Sequence, residues 1–298
     1  MARLSFKRAE AERIKLTAVQ QKQIKDLYKQ AAEDIAKQAE KAPRVPSDVL
    51  RKQYLNKLQE QINEQLIHIQ KELNEIIPGN MKKTADAVVR DNLKFTKEVG
   101  LHVEGAFSHV PDEIVRTVIS GQLYEGNWHL SQAIWAGTRK TESDIRMVIA
   151  KGIAENKSTY DIAKDLEKYV NPSARKDWNW SKVYPGTAKK VDYSAQRLAR
   201  TMVSHAYQQA FVKTTQKNPF VEEYIWDASN SSRVCELCAS RDGQHYKKDD
   251  LPLDHPNGMC TFTAYVPDSM TEIADRIADW AQGNPDSGID AWVESMKK

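Results

Sequence analysis

The chain has few of the residues that build covalent frameworks. It carries three cysteines in 298 residues, a number that cannot pair off completely, so a disulfide scaffold is not expected. No stretch approaches the roughly 18 uninterrupted apolar residues that a membrane span requires, which leaves no membrane partner to expect. Charge of one sign is missing as well. Lysine and arginine number 44 against 41 aspartate and glutamate, a formal net charge of +3, too balanced to argue nucleic-acid binding from the total. No apolar leader opens the chain at Met1-Ala-Arg-Leu, and a reducing cytosol is the expected compartment. What remains is 40% hydrophobic content over a length sufficient for two or three packed domains.

The three cysteines lie close together. Cys235-Glu-Leu-Cys238 is followed, after a turn-rich stretch, by His255-Pro-Asn-Gly-Met-Cys260. Two residues separate the first pair and four the second, a spacing suited to the tetrahedral sulfur and nitrogen preference of Zn²⁺. The plain alternative is three small apolar cysteines in a core, but buried cysteine seldom falls in this spacing. As a complete soft set the candidate ligands are Cys235, Cys238, His255 and Cys260, with Asp227, Asp254 and His245 as further donors able to replace His255. Three thiolates and one imidazole leave no open position for water, which is the closed, structural type of site.

The first 100 residues read as long helices. Leu16, Val19, Ile24, Leu27, Ala31, Ile35 and Ala39 recur near helical spacing up to Ala42-Pro43-Arg44-Val45-Pro46, where two prolines forbid continuation. Ser47 is a candidate cap for a second helix with the stripe Leu55, Leu58, Ile62, Leu66, Ile69, Leu73 and Ile76, expected to end at Pro78-Gly79. So narrow a stripe buries one seam, against its neighbour in a hairpin or against helices of another chain. Residues 1–44 also hold 11 basic against 6 acidic residues, the mark of a basic arm or of a solvated helix face.

From residue 101 to 218 shorter helices follow. Pro111 suits the first turn of a helix carrying Ile114, Val115, Val118 and Ile119, closed by Gly121. Thr141 is a candidate cap for Ile145, Val148, Ile149 and Ile153, and Ser158 with Asp161 forms a capping pattern. The phrase from Gly152 to Leu166 echoes the first helix of a helix-turn-helix, but no second amphipathic helix follows to enter a groove. Residues 171–190, with Pro172, Trp178, Trp180, Pro185 and Gly186, read as a loop. Beyond it Ala195, Ala199, Val203, Ala206 and Ala210 make a small-residue helical spine with His205 near it, read as a packing or hydrogen-bonding histidine. From 219 to 268 the segments around Tyr224-Ile225-Trp226 and Thr261–Val266 favour strands, separated by the turn at Asp242-Gly243. This sheet is too short to hold itself with a hydrophobic core, so a metal staple is expected. Ser269 and Glu272 form a capping box for a helix in the last part, 269–298. The fold class is thus mainly α: long helices over 1–100, a helical body over 101–218, a small zinc-stabilised α+β module over 219–268 and a helical tail.

In order along the chain, Leu198-Ala-Arg200-Thr201, Trp226-Asp227, Arg233-Val-Cys235-Glu-Leu-Cys238, Asp242-Gly243 and His255-Pro256-Asn257 with Cys260 resemble the phage minor head proteins, the head-morphogenesis family related to the phage Mu F protein. Leu130–Trp135 and Gly152–Leu166 are similar to it more loosely. Two positions depart from the family pattern. Met202 stands where members often carry an acidic residue, and Gly258 where they often carry a cysteine. The resemblance implies a non-catalytic structural protein, made in the bacterial cytoplasm and placed inside the virion head. It implies association with the portal oligomer and action in head assembly, DNA packaging or delivery, and the seam from Leu55 to Ile76 is the expected docking face. Two rivals come from other classes. One is a sequence-independent DNA-binding module, compatible with packaged DNA as a partner and recognised by salt-dependent retention. The other is a zinc-supported nuclease of the His-Asn-His type, for which Cys235-x-x-Cys238 and Asp254-His255 supply only the first half: no histidine and no cysteine pair follow.

Overall fold

The computed structural model describes residues 2–42, 48–124, 126, 129–155, 157–171, 191–228 and 234–297. The prolines at 43 and 46, the Ser47 cap, the loop residues from Pro172 to Gly186 and Arg233 lie outside them. The described residues form helices α1 (Lys7–Glu40), α2 (Asp48–Glu98), α3 (Val110–Ile119), α4 (Leu130–Ala154), α5 (Thr159–Val170), α6 (Val191–Thr215), α7 (Glu236–Arg241), α8 (Met270–Ala281) and α9 (Ser287–Lys297). Four strands accompany them: β1 (Ala2–Ser5), β2 (Glu223–Asp227), β3 (His245–Lys247) and β4 (Thr261–Val266). The described residues are mainly helical with a small antiparallel sheet, as the sequence indicates.

Two compact units divide the chain: Met1–Ala18, Ile77–Asn127 and Arg200–Lys298 make one, Val19–Ile76 and Trp128–Ala199 the other. In the first, the sheet has the strand order β1-β4-β2-β3, antiparallel throughout. β4 alternates so that Phe262, Ala264 and Val266 face inward, the period expected of a sheet with one covered face. Aromatic rings fill the core behind it. Phe211 of α6 meets Phe6 edge-on at 5.1 Å, Tyr224 at 5.0 Å and Phe262 at 5.9 Å, while Trp226 meets Phe262 edge-on at 5.0 Å, arrangements favoured by the ring quadrupole. Residues 201 to 208 of α6 are all buried, as expected for a helix enclosed on every side. β1 pairs with β4 from Ala2↔Val266 to Ser5↔Thr263; its four residues alternate apolar and polar, a strand signal at the shortest usable length and obscured by the helical run that follows.

α1 and α2 run antiparallel. The Asp91 carboxylate accepts the Ala9 N–H at 2.9 Å and Arg90 pairs with Glu12 at 2.7 Å, while in the other unit the Tyr54 hydroxyl donates to the Gln38 carbonyl at 2.6 Å. The expected stop at Pro78-Gly79 does not occur: α2 continues through Pro78 to Glu98. The apolar stripe itself carries on, with Ile77 in place of Ile76, then Met81, Ala85, Val88 and Phe95, all buried, and that burial outweighs one lost backbone bond. Leu58 and Ile62 are each 1% exposed, so the seam is filled within the chain and is no free docking face. In α1 the stripe also shifts: Val19 is exposed, and Ala9, Arg13, Thr17 and Gln20 face inward.

In the second unit α4 begins at Leu130, capped through His129 and Gln132, and not at Thr141. Thr141 sits inside the helix, its hydroxyl donating to the Gly137 carbonyl at 3.1 Å, the back-bonding that lets threonine occupy a helix interior. Ser158 caps α5 by accepting the Asp161 N–H at 3.1 Å, as its spacing indicates. Gly152 lies against Ile162: a Cβ there would fall 2.6 Å from Ile162 Cγ1, so the crossing of α4 and α5 requires glycine.

Candidate metal centre

Cys235 is the N-cap of α7, where its Sγ accepts the Cys238 N–H at 3.4 Å. The two-residue spacing thus places both thiols on one side of a helix start. The loop between β3 and β4 brings His255 to them: His255 Nε2 lies 3.2 Å from Cys235 Sγ and 3.1 Å from Cys238 Sγ. A tetrahedral zinc with ordinary bond lengths sets sulfur and nitrogen donors about 3.5 Å apart, so this triad fits the ion with small adjustments. Cys260, at the head of β4, completes a second triad with Cys238 and Asp254. The four expected ligands therefore form two groups that share Cys238, the first opening to the surface at Cys235 and the second buried. Of the alternative donors only Asp254 joins a group. His245 is paired with Glu223 at 2.7 Å and Asp227 accepts the Thr263 hydroxyl at 2.6 Å.

The electrostatics favour a cation. The Cys238 N–H and thiol lower the pKa of the exposed Cys235, with His255 adding to the effect. Burial raises that of Cys238, reinforced by hydrogen bonding to Cys260 and Cys235 and by the charge of Asp254. For His255, burial pulls downward but the Pro256 carbonyl, Asp254 and Cys235 carry the pKa above its ordinary value. Buried thiols beside a carboxylate resist ionisation for want of a counter-charge, which a divalent metal supplies.

The ligand loop is fastened from two helices. Along one face of α6 the Thr201 hydroxyl accepts the Asn257 N–H at 2.8 Å, the Ser204 hydroxyl donates to the Gly258 carbonyl at 2.9 Å, and Gln208 donates to the Pro252 carbonyl at 2.7 Å while accepting the Asp254 N–H at 2.9 Å. His205 Nε2 meets the Asp254 carbonyl at 2.9 Å and Nδ1 the Tyr124 hydroxyl at 2.8 Å. Because a carbonyl only accepts, Nε2 carries the proton and Nδ1 receives the tyrosine O–H. From α1, Arg13 donates to the Cys260 carbonyl at 3.1 Å and the Met259 carbonyl at 3.0 Å, with its guanidinium 4.5 Å from the Tyr207 ring centre. His205 is thus the hydrogen-bonding histidine its surroundings suggest. Thr201 stands in the sequence only as part of the resemblance, and the bonding roles of Ser204, Gln208 and Arg13 go unnoticed there, although polar residues at i, i+3, i+4 and i+7 beside the alanine spine (Thr201, Ser204, His205 and Gln208) are the pattern that marks the α6 face.

Residues 143–262 match the family model described as Phage Mu protein F like protein. The resemblance to the phage Mu F-like head morphogenesis family is borne out over those residues. This F-like segment runs from α4 into β4 and encloses Cys235, Cys238, His255 and Cys260. The looser likeness at Leu130–Trp135 falls outside it. No curated protein and no solved structure matches the chain. A Cβ at Gly258 would lie 2.2 Å from both carboxylate oxygens of Asp254. No helix among the described residues is long and apolar enough to cross a membrane.

Proposed function

We propose that the chain is a non-catalytic structural protein of the phage head interior, which associates with the portal oligomer and acts in head assembly or in DNA packaging or delivery. Cys235, Cys238, His255 and Cys260 would hold Zn²⁺, which supplies cross-linking of α7 to the β3–β4 loop and no reaction. The observation that carries this reading is the F-like match over 143–262, which contains the whole donor set. Two features support the structural role of the metal. Cys238 and Cys260 are buried, and the loop bearing His255 is bonded along its backbone to α6 and α1. A loop so restrained suits a staple better than a site that must admit and release substrate.

The test uses the full chain, because the sheet takes β1 from residues 2–5. Coexpressed with the portal protein of the same phage, the chain is expected to elute with the portal oligomer and to carry one zinc per chain by elemental analysis. Elution as a separate species under conditions where the portal assembles would reject the portal association. Metal-dependent, His255-dependent nicking of DNA by the pure protein would reject the non-catalytic role.

A further inference from the structure

We propose that Asp254 is the positioning residue of the metal loop, and that residues 254 and 258 act as a pair in which the carboxylate fills the space a side chain at 258 would take. This rests on the metal reading above. Asp254 is 3% exposed. Its Oδ1 accepts the His255 N–H at 2.9 Å and its Oδ2 the Cys260 N–H at 3.3 Å, so a single buried carboxylate orients the backbone of both donors that the loop contributes. It also stands within 4.8 Å of the Cys238 and Cys260 sulfurs, adding negative charge where a cation is to be held.

Neither member of the pair is free to withdraw. The Gly258 carbonyl is held by Ser204 and its N–H donates to the His255 carbonyl at 2.8 Å. The Asp254 N–H is held by Gln208 and its carbonyl by His205. With both backbones fixed, the overlap between a Cβ at 258 and the carboxylate, 2.2 Å to each oxygen, is relieved only by moving or removing the carboxylate. A side chain at 258 therefore acts on the metal through Asp254, not by contact with the ion.

A double-mutant cycle of Asp254→Ala and Gly258→Ala in the full chain tests this, read by zinc competition against a chromogenic chelator and by the absorption of bound Co²⁺. Each single change should weaken zinc binding about 10- to 100-fold, the usual cost of losing a residue that orients ligands, and alter the Co²⁺ bands. The double variant should bind no more weakly than Asp254→Ala alone, because the added methyl enters vacated space. Losses that simply multiply, or an Asp254→Ala variant with wild-type affinity and Co²⁺ spectrum, would overturn the proposal. Asp254→Asn keeps the shape but turns one acceptor into a donor facing an N–H. It should fold normally by circular dichroism and still shift the Co²⁺ bands; unshifted bands would count against the pair. A wild-type chain that binds neither Zn²⁺ nor Co²⁺ removes the metal reading itself, whereas one zinc per chain with a multiplicative cycle removes only the pairing.

Discussion

The Cys260 peptide is gripped on both sides, its N–H by Asp254 and its carbonyl by Arg13. Arg13 is 1% exposed and serves two adjacent carbonyls. Methionine would retain much of the packing against Tyr207 and leave both acceptors without their donor. Arg13→Met should therefore cost about 2–5 kcal/mol, since each stranded buried acceptor costs about 1–3 kcal/mol, and urea denaturation measures it. Loss of less than 1 kcal/mol, to order of magnitude, would mean water replaces the guanidinium. His205 gives a second test. Burial lowers its pKa below the ordinary 6.5, against a smaller upward pull from the Asp254 carbonyl. The native state thus favours the neutral ring. Above about pH 6.5 the ring is neutral in both states; as pH falls through that value the unfolded chain takes up a proton the native one resists, and stability is lost. Thermal midpoints should fall more steeply below pH 6.5 for the wild type than for His205→Gln, which can still donate to Asp254 and accept from Tyr124.

Among the elements, α2 runs through a proline. Pro78 lacks the N–H that would bond the Asn74 carbonyl, and the helix nevertheless passes through it. Pro78→Ala should stabilise the chain by about 1–3 kcal/mol, less than the full cost of a mid-helix proline because alanine loosens the unfolded chain; a lowered thermal midpoint would show that α2 is not continuous there. The same helix shows what the sequence can convey. Leu55 to Leu73 are legible as a buried stripe because the 3-and-4 spacing dominates their surroundings. The continuation past Pro78 is not, because a local rule about proline outvotes a periodicity that carries on through Ile77 and Met81. β4 and the caps at Ser158 and Ser269 are legible for the same reason as the stripe: each depends on neighbours a few residues away. β1 and Arg13 depend on partners more than 240 positions distant, and no short window contains that information. The metal centre divides likewise. That Cys235, Cys238 and His255 come together is legible from spacing, whereas the α6 face that bonds the loop is recognised only once the loop lies on it.

For the whole molecule, the segment 219–268 is not self-sufficient. Its sheet includes β1, its aromatic core includes Phe6, and its ligand loop is bonded to α1 and α6. Metal retention should therefore depend on residues far from the ligands. Deleting residues 2–18 removes β1 and Arg13 together, and the remaining chain is expected to yield well under one zinc per chain by elemental analysis. Cys260→Ser provides the comparison, since it removes a donor and leaves β1 in place. Full zinc in the deletion variant would mean that the loop organises itself.

The pairing of β1 with β4 also sets a timetable. Ser5 leaves the ribosome long before Thr263, its partner across the sheet. At an elongation pace of about 5–20 residues per second, that interval lasts on the order of 13–52 seconds. Throughout it Phe6 and Arg13 have no completed core to enter, so this part of the nascent chain keeps its apolar surface uncovered. The sheet therefore closes only after translation has passed Val266.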